Sequence, residues 1–178
     1  MKRYHRIMTL FAICLFLMSG TAFATIPLTE IALGGITPGT AFRTMQQIYG
    51  APTTSKSAGT HFTTFIYGDS VWATVELTEG RIRELSVTRN NGFQTPAGLH
   101  VGMDVQQMKA LYGEPSVSEQ KAARGVTPAT IYSYQGNVDP EEWSANGKYL
   151  HHYRYCLCAV TDPGSTTITK LRVERLVL

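Results

Sequence analysis

The chain has 178 residues, 43% of them apolar, with 16 Lys plus Arg against 13 Asp plus Glu and three cysteines. That length supports a packed core, and the composition excludes a disordered, collagenous or disulfide-framework protein. The formal charge of +3 argues for a basic-surface function only if the excess sits on the working part of the chain.

It does not. The N-terminus carries Lys2, Arg3 and Arg6, then the apolar run Ile7 to Met18, then Ala22-Phe23-Ala24. A basic start, an apolar segment too short to span a bilayer and a small-x-small triplet make the pattern of a cleaved secretory signal. Residues 1–24 are therefore expected to be removed, with Thr25 where a lipid-anchored protein would have cysteine. Without the signal, 13 basic residues face 13 acidic ones. A nucleic-acid partner and a polybasic membrane patch lose their warrant, and a periplasmic or extracellular protein with no membrane span is expected.

The mature chain repeats itself. At a constant offset of 63, Ile36 falls on Leu99, Gly39 on Gly102, Phe42 on Val105, Met45 on Met108, Ile48 on Leu111, and Tyr49-Gly50-x-Pro52 on Tyr112-Gly113-x-Pro115. In each copy four apolar residues, Phe42, Met45, Ile48 and Tyr49 or Val105, Met108, Leu111 and Tyr112, form one stripe of a short helix. Glycine then caps it and proline ends it, which accounts for both residues without a cofactor. Thr40 and Asp104 are the expected N-terminal caps.

Strand-like alternation follows each helix. In the first copy it runs over Phe62 to Tyr67, Val71 to Leu77 and Ile82 to Arg89. In the second it runs over Thr130 to Tyr134, Tyr149 to Val160 and Thr167 to Val177. Hairpin-length turns leave no room for parallel crossovers. The expected fold is α+β: two tandem units, residues 25–95 and 96–178, each a short helical segment followed by a three-stranded antiparallel meander, with the helices packed on one sheet face.

A glycine, a short striped helix and Tyr-Gly-x-Pro before a meander, occurring twice, resembles the superfamily of β-lactamase-inhibitor-protein-like domains and the SmpA/OmlA outer-membrane lipoprotein domain. The resemblance covers nearly all of the mature chain. It implies tandem helix-plus-sheet units with one open, concave sheet face, and binding in place of catalysis. The lipidated cysteine of the lipoproteins and the disulfide within each unit of the secreted inhibitors have no counterpart here, so neither particular function transfers.

Strand parity names the residues of such a face. Val71, Ala73, Val75 and Leu77 point to the core, leaving Trp72, Thr74 and Glu76 on the other side. Aligning Leu77 with Val160 places Cys156, Cys158 and Val160 in the core and shows Tyr149, His151, Tyr153, Tyr155 and Leu157 on the open face. The flipped register would bury those tyrosines and expose His152 and Arg154. Trp72, Thr74, Glu76, Tyr149, His151, Tyr153 and Tyr155 are the expected partner-binding set, an aromatic surface of the kind enriched at interfaces.

The mature chain's cysteines form Cys156-Leu157-Cys158. They read as small buried thiols, their i, i+2 spacing being too long for an unstrained disulfide. The alternative is a soft-metal or redox pair using Cys156, Cys158, His152 and His151. Gly68-Asp69-Ser70 is like the nucleophile block of one esterase family, but no Asp-x-x-His follows it, and a hairpin turn explains it. The loop from Asn137 to Lys148, with Asp139, Glu141, Glu142 and Trp143, is a binding element or a tolerated insertion. The sequence thus predicts a non-catalytic exported module without a cofactor, recognising a protein or envelope component.

Overall fold

The computed structural model describes residues 25–120, 128–136, 139–143 and 150–177, and among these the two α-helices are Phe42–Tyr49 (α1) and Val105–Tyr112 (α2). For residues 119, 139–143 and 150–152 only the backbone is described, and the expected signal segment lies outside the described residues. The strands are β1 Thr25–Ile26, β2 Thr54–Ser57, β3 Phe62–Tyr67, β4 Val71–Glu76, β5 Arg81–Val87, β6 Ser116–Glu119, β7 Thr130–Gly136, β8 Asp139–Trp143, β9 Leu150–Thr161 and β10 Ile168–Val177. A 3₁₀ turn occupies Leu28–Glu30.

Each helix start is stitched to a strand start in the same way. Gly39 N–H donates to Ile82 O at 2.7 Å and Phe42 N–H to Gly80 O at 2.9 Å. In the second copy Gly102 N–H donates to Ile168 O at 2.8 Å and Val105 N–H to Thr166 O at 2.9 Å. These bonds satisfy backbone donors that a helix start leaves without intrahelical partners. Asp104 caps α2 in a reciprocal box with Gln107. The corresponding expectation for Thr40 fails: Ala41 is the N-cap residue of α1 and makes no side-chain cap, while the Thr40 hydroxyl pairs with Thr37 at 3.0 Å. Gly50 and Gly113 end the helices at φ 79° and 80°, a conformation that a side chain would strain.

The motif tyrosines hold helix to linker. Tyr49 donates to Gly34 O and packs its ring 4.8 Å from that of Phe93. Tyr112 donates to Glu30 at 3.1 Å and pairs with the Thr95 hydroxyl at 2.6 Å, and Leu99 N–H donates to Thr95 Oγ1 in turn. Burial pushes the Tyr112 phenol well above its usual range.

The expected pair of separate units is overturned by the strand pairing. The sheet is single, mixed and ten-stranded, in the order β1-β7-β9-β10-β5-β4-β3-β2, with β6 on β7 and β8 on β9. Its middle is an antiparallel seam, Leu171 opposite Val87 and Val173 opposite Leu85, and β1 runs parallel to β7. Two extra strands, β2 (Thr-Ser-Lys-Ser) and β6 (Ser-Val-Ser-Glu), lack the apolar alternation that marks strands in sequence. One core cluster contains Met45, Met108, Ala73, Leu85, Leu157, Leu171 and Val173, so both helices cover the same sheet face.

The helical stripes are narrower than their periodicity suggests. Met45 and Met108 are fully buried, while Ile48 and Leu111 are 59% and 41% exposed. An eight-residue helix lying on a sheet touches it through little more than one turn, and Phe42 completes that contact by stacking on Phe65 at 4.1 Å. Leu77 leaves the strand for the turn and is exposed. We predict that Met45→Ala destabilises the fold by about 2–5 kcal/mol, whereas Ile48→Ala changes stability by no more than about 0.5 kcal/mol; urea titration of both variants measures the contrast.

Candidate functional site

Register decides which side chains the uncovered face presents. Leu157 lies opposite Val173 and Tyr134, and the row continues through Leu85, Ala73 and Phe65. Tyr153, Tyr155 and Leu157 therefore belong to the helix-covered core, where the two tyrosines are 5% and 8% exposed. Arg154, Cys156, Cys158 and Val160 point the other way. The expected placement of Tyr153 and Tyr155 on the open face, and of the cysteines in the core, is thus inverted. Its cause is the alignment of Leu77 with Val160: Leu77 is not in a strand, and a one-residue slip turns over every side chain.

Arg175 packs against the buried Tyr153 at the end of the core. Its side chain is 1% exposed, 2.7 Å from Glu79 and 3.6 Å from Glu76, with the guanidinium 4.5 Å from the Tyr153 ring centroid. Both carboxylates compensate a charge that would otherwise be costly to bury. Glu76 is thereby engaged at the sheet end, unlike Trp72 and Thr74. Tyr149 lies outside the described residues, as do the side chains of His151 and His152.

Trp72 and Thr74 do line a site. With Lys56, Thr64, Glu84 and Lys170 they border an open groove of about 470 Å³ on the face opposite the helices. The Trp72 ring is partly exposed, and Ser86, its cross-strand neighbour, is buried. The Thr64 and Thr74 hydroxyls meet at 3.1 Å. Arg83, the extra residue of a bulge in β5, lays its guanidinium 4.7 Å over the Phe62 ring. An aromatic floor among hydroxyls and charged tips suits recognition by contact and hydrogen bonding.

Beside this groove lies the cysteine cluster. The Cys158 thiol is 3.7 Å from Glu174 Oε1 and 3.6 Å from Ser133 Oγ, and Arg172 pairs with Glu174 at 3.2 Å. Cys156 and Cys158 are free and buried although they face the open side. Burial, then the neighbouring Cys158 and Glu174, pushes the Cys156 thiol up to about 11 against the partial opposition of Arg154 and Arg172. Burial likewise raises Cys158. Among the described residues no group of three His, Cys, Asp or Glu side chains is placed to hold a metal ion.

Sequence reasoning missed Lys56, Glu84, Ser86, Lys170, Arg172 and Glu174. The signal for β10 was present in the alternation Lys170-Leu171-Arg172-Val173-Glu174, which separates a charged face from an apolar one. Lys56 had none, since β2 is polar throughout.

No family model matches the chain, and no curated protein matches it. The expected kinship with the β-lactamase-inhibitor-protein-like and SmpA/OmlA domains is corrected by the solved structures that the chain is similar to, which are of another kind. Among solved structures, the chain is similar to an extracellular protein containing an SCP domain from Bacillus anthracis str. Ames, at 10% identity and TM-score 0.49, over 77% of this chain and 43% of that one. It is also similar to a cysteine-rich secretory protein from Staphylococcus aureus subsp. aureus Mu50, at 12% identity and TM-score 0.49, over 85% of this chain and 49% of that one. The chain thus spans about half the length of these structures or less.

A thiol whose folded-state pKa is raised favours folding while protonated. Its contribution is intact below the unfolded value near ~8.5 and is lost as pH rises through that value toward about 11. We expect iodoacetamide to label folded protein at pH 7 at least roughly tenfold more slowly than unfolded protein. The Cys156 rate should climb with pH toward about 11; fast labelling at pH 7, read by mass spectrometry, contradicts this.

Proposed function

We propose that the chain is an exported, non-catalytic binding module that takes a protein or cell-envelope component on its open sheet face, in the periplasm or outside the cell. The observation that carries this reading is Trp72, a partly exposed tryptophan on the floor of a polar groove, on the face to which neither helix packs. Large aromatic side chains in such positions dominate the energetics of recognition surfaces. Export rests on the three-part pattern of residues 1–24. Among the described residues, no helix is long and apolar enough to cross a membrane.

Non-catalytic use is supported by the state of Ser70. Its side chain is buried in the turn and accepts a hydrogen bond from the Asn91 amide at 2.9 Å, while the neighbouring Asp69 pairs with Arg89. A nucleophilic serine needs an open approach and an adjacent base.

A second reading, a thiol-based metal or redox protein, has in its favour that Cys156 and Cys158 face the same way beside Glu174. Retention of zinc or copper by the purified protein, lost in Cys156→Ser and Cys158→Ser, would establish it.

For the binding module, affinity capture from an envelope extract compares wild type with Trp72→Ala and with Leu111→Ala on the helix side. Capture of a defined partner should fall at least tenfold with Trp72→Ala and persist with Leu111→Ala. Equal capture by the Trp72 variant rejects the face.

A further inference from the structure

The 13 basic and 13 acidic residues of the mature chain are not evenly spread over the fold. Strand register places Lys56, Arg154, Lys170 and Arg172 on the open face, and the contact with Phe62 brings Arg83 there too. Among the described side chains the acids of this face are Glu84 and Glu174, with Glu76 drawn to Arg175 at the sheet end. Arg172 is committed to Glu174. Lys56, Arg83, Arg154 and Lys170 have no ion-pair partner among the described residues, and Glu30, Asp69, Glu79, Asp104, Glu114 and Asp162 lie outside the strands. Among the described side chains, the groove lining sets Lys56 and Lys170 against Glu84 alone and is locally positive.

Resting on the open-face reading above, we propose that the groove takes an extended acidic segment of a partner protein, with an apolar side chain set on Trp72 and carboxylates on Lys56 and Lys170. Lys56 is on β2, Trp72 on β4 and Lys170 on β10, and β4 lies two strand spacings from each of the others. Lys56 lies opposite Thr64, which lies opposite Thr74, one same-face step along β4 from Trp72. Trp72 lies opposite Ser86, and Ser86 opposite Arg172, one same-face step along β10 from Lys170. The three side chains thus fall on one diagonal with the tryptophan at its midpoint. With strands about 4.8 Å apart and a rise near 3.3 Å per residue, the diagonal spans about 23 Å, or some six to seven residues of extended chain.

Glu84 sharpens the specificity. It lines the middle of the groove, where it repels a central carboxylate and leaves the acids their places at the two ends. A uniformly charged polyanion would meet this carboxylate and would gain nothing from the aromatic floor. The combination of two flanking cations, a central tryptophan and a central acid favours a polypeptide with separated acids over an anionic polysaccharide.

The test uses the full exported chain and a labelled probe peptide, Ser-Glu-Ser-Thr-Leu-Thr-Ser-Glu-Ser, with fluorescence anisotropy as readout. The expected result is saturable binding that weakens as salt rises. Binding should fall at least tenfold in the Lys56→Glu/Lys170→Glu double variant, and at least tenfold when the central Leu of the probe is replaced by Ser. A probe with Lys in place of both Glu should not bind. Absence of binding, or equal binding by the double variant with an unchanged melting temperature, overturns the proposal. So does dextran sulfate binding more tightly than the peptide and indifferent to Trp72→Ala, which would assign the surface to polyanions. If the double variant still captures the partner that Trp72→Ala loses, the open face stands and the acidic segment falls. If Trp72→Ala loses nothing, the parent reading falls as well.

Discussion

The antiparallel seam between β5 and β10 is the constraint on which the remaining structure depends. It joins the strands of one sequence repeat to those of the other, Leu171 to Val87 and Val173 to Leu85, and by doing so sets the parity of every strand outward from it. Core residues fall into continuous rows across the seam, so the two helices share one face and the charged alternate positions share the other. Arg175 strengthens the arrangement at one end: it projects from β10 to Glu79 in the β4–β5 turn, tying the halves together a second time. Arg175 is buried while Glu79 keeps contact with solvent, so losing the carboxylate leaves a buried cation short of its nearest partner and destabilises this end of the sheet.

How much of this was legible in the sequence depended on whether the governing contact was local. The helices at Phe42–Tyr49 and Val105–Tyr112 announce themselves through Met45, Met108 and the Tyr-Gly-x-Pro ends, because capping and periodicity act within a few residues. The seam could not be read, since nothing in Ile82 to Val87 or Ile168 to Val173 states that the two strands pair with each other. The same gap explains the inverted tyrosines. Parity along β9 is plain in its own sequence, but which parity faces the core is decided by Tyr134 and Val173 on neighbouring strands. At the candidate site, Trp72 and Thr74 were accessible to reasoning because β4 is a clean alternation, whereas Lys56 and Lys170 became neighbours of Trp72 only through the order of the sheet.

Charge illustrates the difference between a sum and a distribution. Leaving out residues 1–24 makes the formal charges equal, 13 against 13, yet the groove beside Trp72 still sets two lysines, Lys56 and Lys170, against one acid, Glu84. Pairing engages Arg89, Lys109, Arg172 and Arg175, whereas Lys56 and Lys170 line the tryptophan groove without an ion-pair partner among the described residues. The thiols beside them are kept protonated by burial, so the Cys-x-Cys segment adds polarizable, uncharged bulk to the floor of the face.

The seam also has a temporal side. Val87 and Leu171 are 84 positions apart, so β5 forms and pairs with β4 long before its other neighbour exists. Until β10 arrives, the edge of β5 is an open hydrogen-bonding template with alternating apolar side chains, the kind of edge that recruits wrong partners. Contacts so distant in sequence are slow to close. Under the export proposed above, that delay would work in favour of delivery, because the sheet cannot be completed by its first half.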